Sequence, residues 1–338
     1  MNDTVPNQHA LLSKMSHWGV HLAIILVVLS TIFGLELRKE MKMAETIGFA
    51  LDDSWIHAAI AKNFVSGNGF AVNPGKNLPV STSPAWTLCM ALPYWVTHDP
   101  IKAGLMAAFF CRFIANLLLY WLVRKMTGQS LIALFSAICL NLSPIALWGF
   151  ASGMEIPLVM MAILLLLVLY YLFEPDSAVR KYGVPVALVL CALSRPELFV
   201  MVPLVFVDTW FYHMRQRTPE ARRKAWTILV TEVIVFGVAI SPYFAFNLIT
   251  SGHLLPTTFY AKTSVRDVGL SGALASKDIG RIKTVFTDHS IREVVAVFSL
   301  FMKQNLVGFL LLPVGTLFFV GAVTDKISRR GWFLPLPR

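Results

Sequence analysis

Long apolar runs, separated by short polar segments, recur along most of this chain. A hydrocarbon core of about 30 Å is crossed by about 20 mainly apolar residues in helical form, so these runs predict transmembrane helices. The predicted spans are residues 18–36, 101–123, 129–150, 155–173, 182–194, 197–213, 226–248 and 305–323. The pattern therefore predicts an all-α integral membrane protein, a polytopic bundle of about eight transmembrane helices.

Some apolar segments do not fit as complete spans. Residues 84–97 are short and rich in Trp and Tyr, and residues 291–304 mix charged with apolar positions. Both segments suit juxtamembrane helices that lie in the outer interface. The neighbouring spans 182–194 and 197–213 are interrupted around Pro196. Each half is marginal for a complete crossing, and irregular backbone at membrane depth is tolerated only where it lines a protein or water-filled cavity.

Composition supports the membrane class, because 56% of the residues are hydrophobic and 14% are charged, against about 25% charged in soluble domains. The formal net charge is +10, and the basic residues concentrate in short loops next to apolar runs. These loops are Arg124-Lys125, Arg180-Lys181, residues 215–224 and residues 326–330. The positive-inside rule then places the N-terminus in the cytoplasm and turns the loops 37–100 and 249–304 outward. This distribution argues against nucleic-acid binding.

The organisation predicted from these features is one transmembrane domain over residues 1–338, with an uncleaved first helix as an anchor. Four cysteines are scattered without paired spacing, so we interpret them as small hydrophobic residues rather than disulfide partners or metal ligands. No outward Asn-x-Ser/Thr acceptor results from this topology, which favours a bacterial plasma membrane.

Four polar clusters fall at the outward ends of the predicted spans. They are Asp52-Asp53 with His57, residues 152–157, residues 194–197 and residues 256–262. The topology allows all four to converge on one outward-facing cavity. Ionisable groups close to a membrane are costly and are functional candidates by default, so the clusters predict a site.

Asp52 and Asp53 have three possible roles: to accept a proton, to bind a divalent metal, or to cap a helix that starts at Ser54. One Asp is enough for a cap, so the second still needs a reason. His57 lies one turn after Asp53 on the same side, which would complete a thin metal site. The metal requirement is left open, with a divalent cation as the candidate.

Arg195 suits an anionic group, because guanidinium matches the geometry of phosphate. Its alternative is a local salt bridge with Glu197. Arg112 lies inside a predicted span, where it would pair with Glu155 or reach a lipid phosphate. The sequence does not decide between these alternatives.

The clusters, in this order, resemble the GT-C class of membrane glycosyltransferases that use polyprenyl-phosphate sugars. The relatives concerned are bacterial protein O-mannosyltransferases, aminoarabinose transferases of lipid A and mycobacterial-type arabinofuranosyltransferases. The matching stretches are LDDSWIHAAIAKNFVSGNGFAVNPG (51–75), STSPAWTL (81–88), SGMEIPL (152–158), LSRPE (193–197) and PTTFYAK (256–262). Two departures stand beside the resemblance. Family members are usually longer, and Ile156 stands where Thr is expected.

The resemblance implies an inverting transfer from a polyprenyl-phosphate sugar to a hydroxyl of a glycan, lipid or protein at the outer face of the membrane. Asp52, with Asp53 beside it, would supply the general base. The residues expected to bind substrate are His57, Glu155, Arg195, Glu197, Tyr260 and Lys262. Arg195 and Lys262 would balance the leaving phosphate. The alternatives are a transporter or lipid flippase, and a shortened non-catalytic relative in envelope-glycan assembly.

Overall fold

The computed structural model describes residues 8–76, 78–215, 218–258 and 260, and the regular elements in these ranges are all helical. The helices are α1 Gln8–Ala44, α2 Asp52–Val65, α3 Pro84–Thr97, α4 Pro100–Thr127, α5 Ser130–Leu142, α6 Pro144–Ala151, α7 Ile156–Leu172, α8 Ala178–Ser194, α9 Met201–Met214 and α10 Pro219–Ser251, with a 3-10 turn at Pro196–Val200. The all-α membrane class predicted from the sequence is thereby confirmed.

Three helical stretches are long and apolar enough to cross a membrane: Trp18–Ala44, Pro100–Thr127 and Pro219–Ser251. The helices Ser130–Leu142 and Ile156–Leu172 are apolar but shorter. The predicted spans 155–173 and 182–194 correspond to α7 and α8, and the outer-interface segment 84–97 is α3 to the residue. The span 305–323 and the segment 291–304 lie outside the described residues, and the single-domain organisation stays a prediction.

The predicted span over residues 129–150 is not one continuous helix, because the chain breaks there into α5 and α6. Pro144 is the first residue of α6 and cannot donate the hydrogen bond that would continue α5. The Arg112 guanidinium donates to the carbonyl groups of Leu140 and Ala146 on the two sides of the break. A buried charged donor therefore satisfies the Leu140 carbonyl, which Pro144 leaves without its helical donor, and joins α5 to α6 through Ala146.

Helix α4 is the centre of the bundle and packs against α3, α5 and α7. Asp99 caps its start by accepting from the backbone N–H groups of Ile101 and Lys102. Beyond α7, the packing continues through α8 to α10. The core beneath α2 and α3 includes Trp86 and Met90, which are completely buried. The polar residues of α2 and α3 therefore rest on a packed apolar base.

One face of helix α3 is apolar and exposed, and the opposite face is buried in the core. Leu88, Leu92 and Trp95 follow one another at helical spacing and are exposed. Trp86, on the opposite side, is buried. This apolar exposed stripe is what a helix in the membrane interface requires.

Candidate active site

The carboxylate pair lies in the first turn of α2. The helix begins at Asp52, not at Ser54 as the sequence predicted, and its N-cap Leu51 makes no side-chain cap bond. Neither Asp therefore caps this helix through its side chain as an N-cap. Both carboxylates are exposed at the end where the helix dipole is positive, which stabilises their negative charge.

Two side chains hold the start of α2 and α3 against the loop before α7. Ser54 Oγ donates to the Ser152 carbonyl at 2.5 Å, and Trp86 Nε1 donates to the Gly153 carbonyl at 2.8 Å. Ser54 and Trp86 are completely buried. Because both bonds are made in the interior, water does not compete for them, and the loop is fixed to both helices.

Phe49 completes this attachment. Gly153 has φ +71°, and a Cβ at this position would lie 2.5 Å from the Phe49 ring. A Cβ on Gly104 of α4 would lie 2.6 Å from the same ring. The ring therefore occupies a slot that exists because both positions are glycine. We call the contacts made by Phe49, Ser54 and Trp86 with residues 152–153 the loop clamp.

The loop clamp places Glu155 beside Arg195 from the end of α8. Glu155 is 2% exposed, and its Oε1 lies 3.3 Å from Arg195 Nε. The same Nε lies 3.2 Å from Glu197 Oε2, and the Glu197 side chain is 69% exposed. Arg195 thus joins one buried and one exposed carboxylate. The salt bridge with Glu197 that the sequence left open is present, and Glu155 is an additional partner.

The charge of Asp53 is a minor contribution that raises the pKa of Glu155 and of His57. The structure pairs Glu155, Arg195 and Glu197 directly. Asp52, Asp53 and His57 lie on α2, which the loop clamp attaches to the loop that leads to Glu155. The roles predicted for these residues stay predictions.

His57 is held inside the site region rather than presented to solvent. It is 2% exposed, and its Nδ1 shares hydrogen bonds with Thr87 Oγ1 at 3.0 Å and Ser81 Oγ at 3.5 Å. Burial lowers the pKa of His57 to about 4, against a smaller opposing effect of Asp53. The imidazole is therefore neutral at neutral pH and links α2 to α3.

The segment that contains Tyr260 docks against the loop before α3. The backbone N–H and the hydroxyl of Thr257 both donate to the Pro79 carbonyl, at 3.0 and 3.3 Å. The Tyr260 ring lies 4.8 Å from the His253 ring and is 38% exposed. Ser81, two residues after Pro79, forms a hydrogen bond with His57. The segment with Thr257 and Tyr260 is therefore linked to the site through the loop before α3. Lys262 lies outside the described residues.

Arg112 belongs to neither alternative considered for it. It is completely buried, with Nε donating to Asn141 Oδ1 at 2.9 Å and the guanidinium 4.8 Å from the Phe150 ring centroid. Within the described residues it therefore serves the break between α5 and α6 and does not pair with Glu155.

A cavity of about 560 Å³ adjoins the site, between the end of α1 and α6. Its lining includes Glu36, Glu40, Phe49, Ala50 and Trp148. Phe49 belongs both to this lining and to the loop clamp, so the cavity borders the start of α2. Among the residues that the structure describes, no group of three or more His, Cys, Asp or Glu side chains is arranged to hold a metal ion.

Sequence reasoning missed Phe49, Ser54, Trp86 and Thr87 as parts of this site. Ser54 and Trp86 stand inside the stretches that carry the resemblance, and Gly153 stands within the SGMEIPL stretch. The sequence signal that could have identified these residues was their position in the same short stretches as the charged candidates. Their role depends on contacts between distant segments, which spacing along the chain does not show.

The fold and this site define a helical membrane protein with a polar cluster at one end of its helices. Residues 81–243, just under half of the chain, match the model of the dolichyl-phosphate-mannose-protein mannosyltransferase family. No curated protein and no solved structure gives a significant match. The family match confirms the resemblance to GT-C membrane glycosyltransferases and supports glycosyl transfer in general terms. The matched segment contains Glu155 and Arg195, which form an ion pair between the start of α7 and the end of α8.

Proposed function

We propose that this protein transfers a sugar from a polyprenyl phosphate to a hydroxyl group of a glycan, lipid or protein acceptor. The reaction takes place at the outer face of a bacterial plasma membrane, with the N-terminus in the cytoplasm. The observation that carries the proposal is the exposed carboxylate pair at the start of α2, which the loop clamp attaches to the loop that leads to Glu155, the partner of Arg195. A catalytic base must be held in place and must remain accessible to its substrate. The attachment of α2 by the loop clamp meets the first requirement, and the exposure of the carboxylates meets the second.

In the proposed reaction, Asp52 accepts the proton of the acceptor hydroxyl as its oxygen attacks the anomeric carbon. The bond from that carbon to the phosphate oxygen breaks, and polyprenyl phosphate leaves. A single displacement inverts the configuration. Asp53 acts electrostatically on Glu155 and His57, and in the proposed reaction it supports the charge balance of the site rather than accepting this proton. The adjoining cavity of about 560 Å³ gives room for a substrate.

The leaving phosphate would interact with Arg195, and with Lys262 from the outer segment. Arg195 already has two carboxylate partners, of which Glu197 is exposed. An exposed ion pair contributes about 0–1 kcal/mol, so phosphate displaces Glu197 at little cost. Glu155 stays in place and keeps the guanidinium oriented. The family's lipid-linked donors support this assignment, and a divalent cation remains a candidate component.

The test measures transfer by purified protein in nanodiscs from a panel of radiolabelled polyprenyl-phosphate sugars, with and without EDTA. We expect Asp52→Asn to lower the turnover by about 10²–10⁴-fold, the usual worth of general-base catalysis. We expect a smaller fall for Asp53→Asn. Glu45→Gln is the matched control, because Glu45 is another exposed carboxylate of the same outer loop.

Normal membrane levels and normal elution of each variant are required for this comparison. Near-normal transfer by Asp52→Asn would remove Asp52 as the base. No transfer by the parent protein from any donor of the panel would contradict the proposed reaction as a whole.

A further inference from the structure

The cavity between the end of α1 and α6 carries polar and aromatic groups that the proposed transfer leaves without a role. Glu36, Lys39, Glu40 and Met43 of α1 line it at helical spacing, so they share one face of that helix. Trp148 of α6 also lines it and is 47% exposed. The cavity volume of about 560 Å³ lies within the range of small-ligand sites, about 300–1,000 Å³. The cavity therefore has the size and the lining of a binding site for a polar ligand.

The position of the cavity places its occupant next to the carboxylate pair. The rings of Phe33 and Phe150, whose centroids are 5.0 Å apart, join α1 to α6 three residues before Glu36. The cavity lies beyond this contact, toward the end of α1. Its lining continues to Ala50, two residues before Asp52, and two residues span at most about 7 Å of chain. A ligand that reaches Ala50 therefore lies beside the proposed base.

The two glutamates of the lining are available to a ligand. Glu36 and Glu40 stand four residues apart on α1, where two like charges destabilise a helix. Lys39 Nζ lies 3.8 Å from Glu36 Oε2, and the lysine side chain is 65% exposed. Glu40 forms no hydrogen bond or ion pair within the described part of the chain. The stability of α1 does not account for both carboxylates, and both can accept hydrogen bonds from a ligand.

The charge of the lining separates this cavity from the site proposed for the donor phosphate. Two glutamates and one lysine sum to −1, and the exposed carboxylate pair follows directly after Ala50. A phosphate in the cavity would be repelled by these carboxylates. Phe49 lines the cavity and packs against Gly153, so its side chain lies between the cavity and the loop that leads to Glu155, the partner of Arg195. The cavity therefore suits the acceptor rather than the donor headgroup.

The chemistry of the lining matches a neutral sugar. Sugar hydroxyl groups donate hydrogen bonds, and ionised carboxylates only accept them. The C–H bonds on one face of a sugar ring pack against an aromatic ring, and Trp148 exposes such a ring in the cavity. A prenyl or acyl chain in the same place would leave Glu36 and Glu40 without donors in a confined space.

We propose that this cavity is the acceptor subsite and that the acceptor is a neutral glycan, stacked on Trp148 and hydrogen-bonded to Glu36 and Glu40. The inference rests on the proposed glycosyl transfer and narrows its acceptor from a glycan, lipid or protein to a glycan. The hydroxyl group to be glycosylated extends past Ala50 toward Asp52.

The first test measures binding without transfer. In a background without the four native cysteines, Met43→Cys places a thiol in the cavity lining, where an impermeant thiol reagent labels it in nanodiscs. We expect at least one member of a panel of neutral hexose and pentose trisaccharides, at millimolar concentration, to slow this labelling at least about threefold. Asn68→Cys, exposed outside the cavity, should be labelled at an unchanged rate. Adding Trp148→Ala should remove the protection.

The second test measures transfer kinetics with the protecting trisaccharide as acceptor. We expect Trp148→Ala to raise the KM for the acceptor at least about tenfold and to leave the KM for the polyprenyl-phosphate donor unchanged. Trp148→Phe should recover most of the acceptor affinity, because it keeps an aromatic ring. Trp226→Ala is the matched control, since Trp226 of α10 is 45% exposed and does not line the cavity.

The other outcomes contradict the proposal in distinct ways. Protection of Met43→Cys by farnesyl phosphate or by a Ser/Thr-rich peptide, with none by the trisaccharides, would overturn the glycan assignment, and so would the absence of protection by any probe. A rise in the donor KM equal to that in the acceptor KM would remove Trp148 from an acceptor subsite. Transfer to a peptide or lipid without protection by trisaccharides would overturn this inference and leave the proposed reaction intact. Protection without transfer from any donor would instead contradict the proposed reaction.

Discussion

At the scale of single residues, the position of the carboxylate pair depends on the contact between Phe49 and Gly153. The ring of Phe49 fills the space that a side chain at Gly153 would need, and the carbonyl groups of residues 152 and 153 are held by Ser54 and Trp86. Three residues just before α2, in α2 and in α3 thus fix the loop that leads to Glu155. A change of one methyl group in this loop should therefore affect the site.

We expect Gly153→Ala to lower glycosyl transfer at least about tenfold and to destabilise the protein by roughly 1–3 kcal/mol, the usual cost of overpacking. The new Cβ would lie 2.5 Å from the Phe49 ring and would displace it together with the start of α2. Transfer kinetics and thermal unfolding in detergent measure the two effects.

Gly67→Ala provides the control. Gly67 has φ +76°, close to that of Gly153, but nothing lies within 4 Å of a Cβ there. Both variants therefore carry the cost of an alanine in the left-handed conformation, about 1 kcal/mol. Only Gly153→Ala also clashes with the Phe49 ring. Equal transfer rates for the two variants would show that the Phe49 contact does not position the pair.

At the scale of elements, the break between α5 and α6 depends on Arg112 of α4. This completely buried side chain donates to Asn141 and to carbonyl groups on both sides of the break. Arg112→Met keeps much of the length and removes every one of these donors. The buried Leu140 carbonyl then loses its partner, at about 1–3 kcal/mol, whereas Asn141 Oδ1 keeps the bond from Asn116. The links from α4 to Asn141 and Ala146 are lost as well.

We therefore expect Arg112→Met to lower the midpoint of thermal unfolding by several degrees or more, a shift that corresponds to roughly 3 kcal/mol. Arg124→Met is the control, because Arg124 lies near the end of the same helix and stacks over the Trp18 ring without bridging a helix break. An unfolding midpoint for Arg112→Met that equals that of the control would refute a structural role for Arg112.

The sequence predicted elements well where local chemistry marks their ends. The boundaries of α3 followed from Pro84 and from the polar segment after Thr97. The break at Ser143 was missed, although Pro144 marks it, because the apolar run on both sides suggested one continuous span. Its stabilising partner lies about 30 residues earlier on another helix, and hydrophobic periodicity carries no information about such pairing.

The sequence predicted the charged residues of the candidate site, but it did not predict which of them form contacts. Asp52, Glu155 and Arg195 are unusual in an apolar chain, so composition alone draws attention to them. The pairing of Arg195 with Glu155 joins residues on two separate segments.

At the scale of the whole molecule, two polar regions lie at opposite ends of α7 and α8. The candidate active site is at the end that includes Glu155, and Arg180 lies at the opposite end. The basic loops occur at the second end, beside Arg180 and in residues 215–224. The positive-inside rule therefore predicts that the end with Arg180 lies on the cytoplasmic side and that the carboxylate pair faces outward.

Cysteine labelling in intact cells tests this orientation. In a background without the four native cysteines, we expect Asn68→Cys to react with an impermeant thiol reagent, because Asn68 is exposed in the loop that follows α2. Glu220→Cys should react only after the membrane is permeabilised, because this exposed residue lies among the basic residues that precede the apolar part of α10. Replacing Glu220 leaves the neighbouring arginines intact, so the charge that sets the topology is retained. Labelling of Glu220→Cys from outside, with Asn68→Cys protected, would reverse the orientation and place the carboxylate pair in the cytoplasm, away from an acceptor at the outer face.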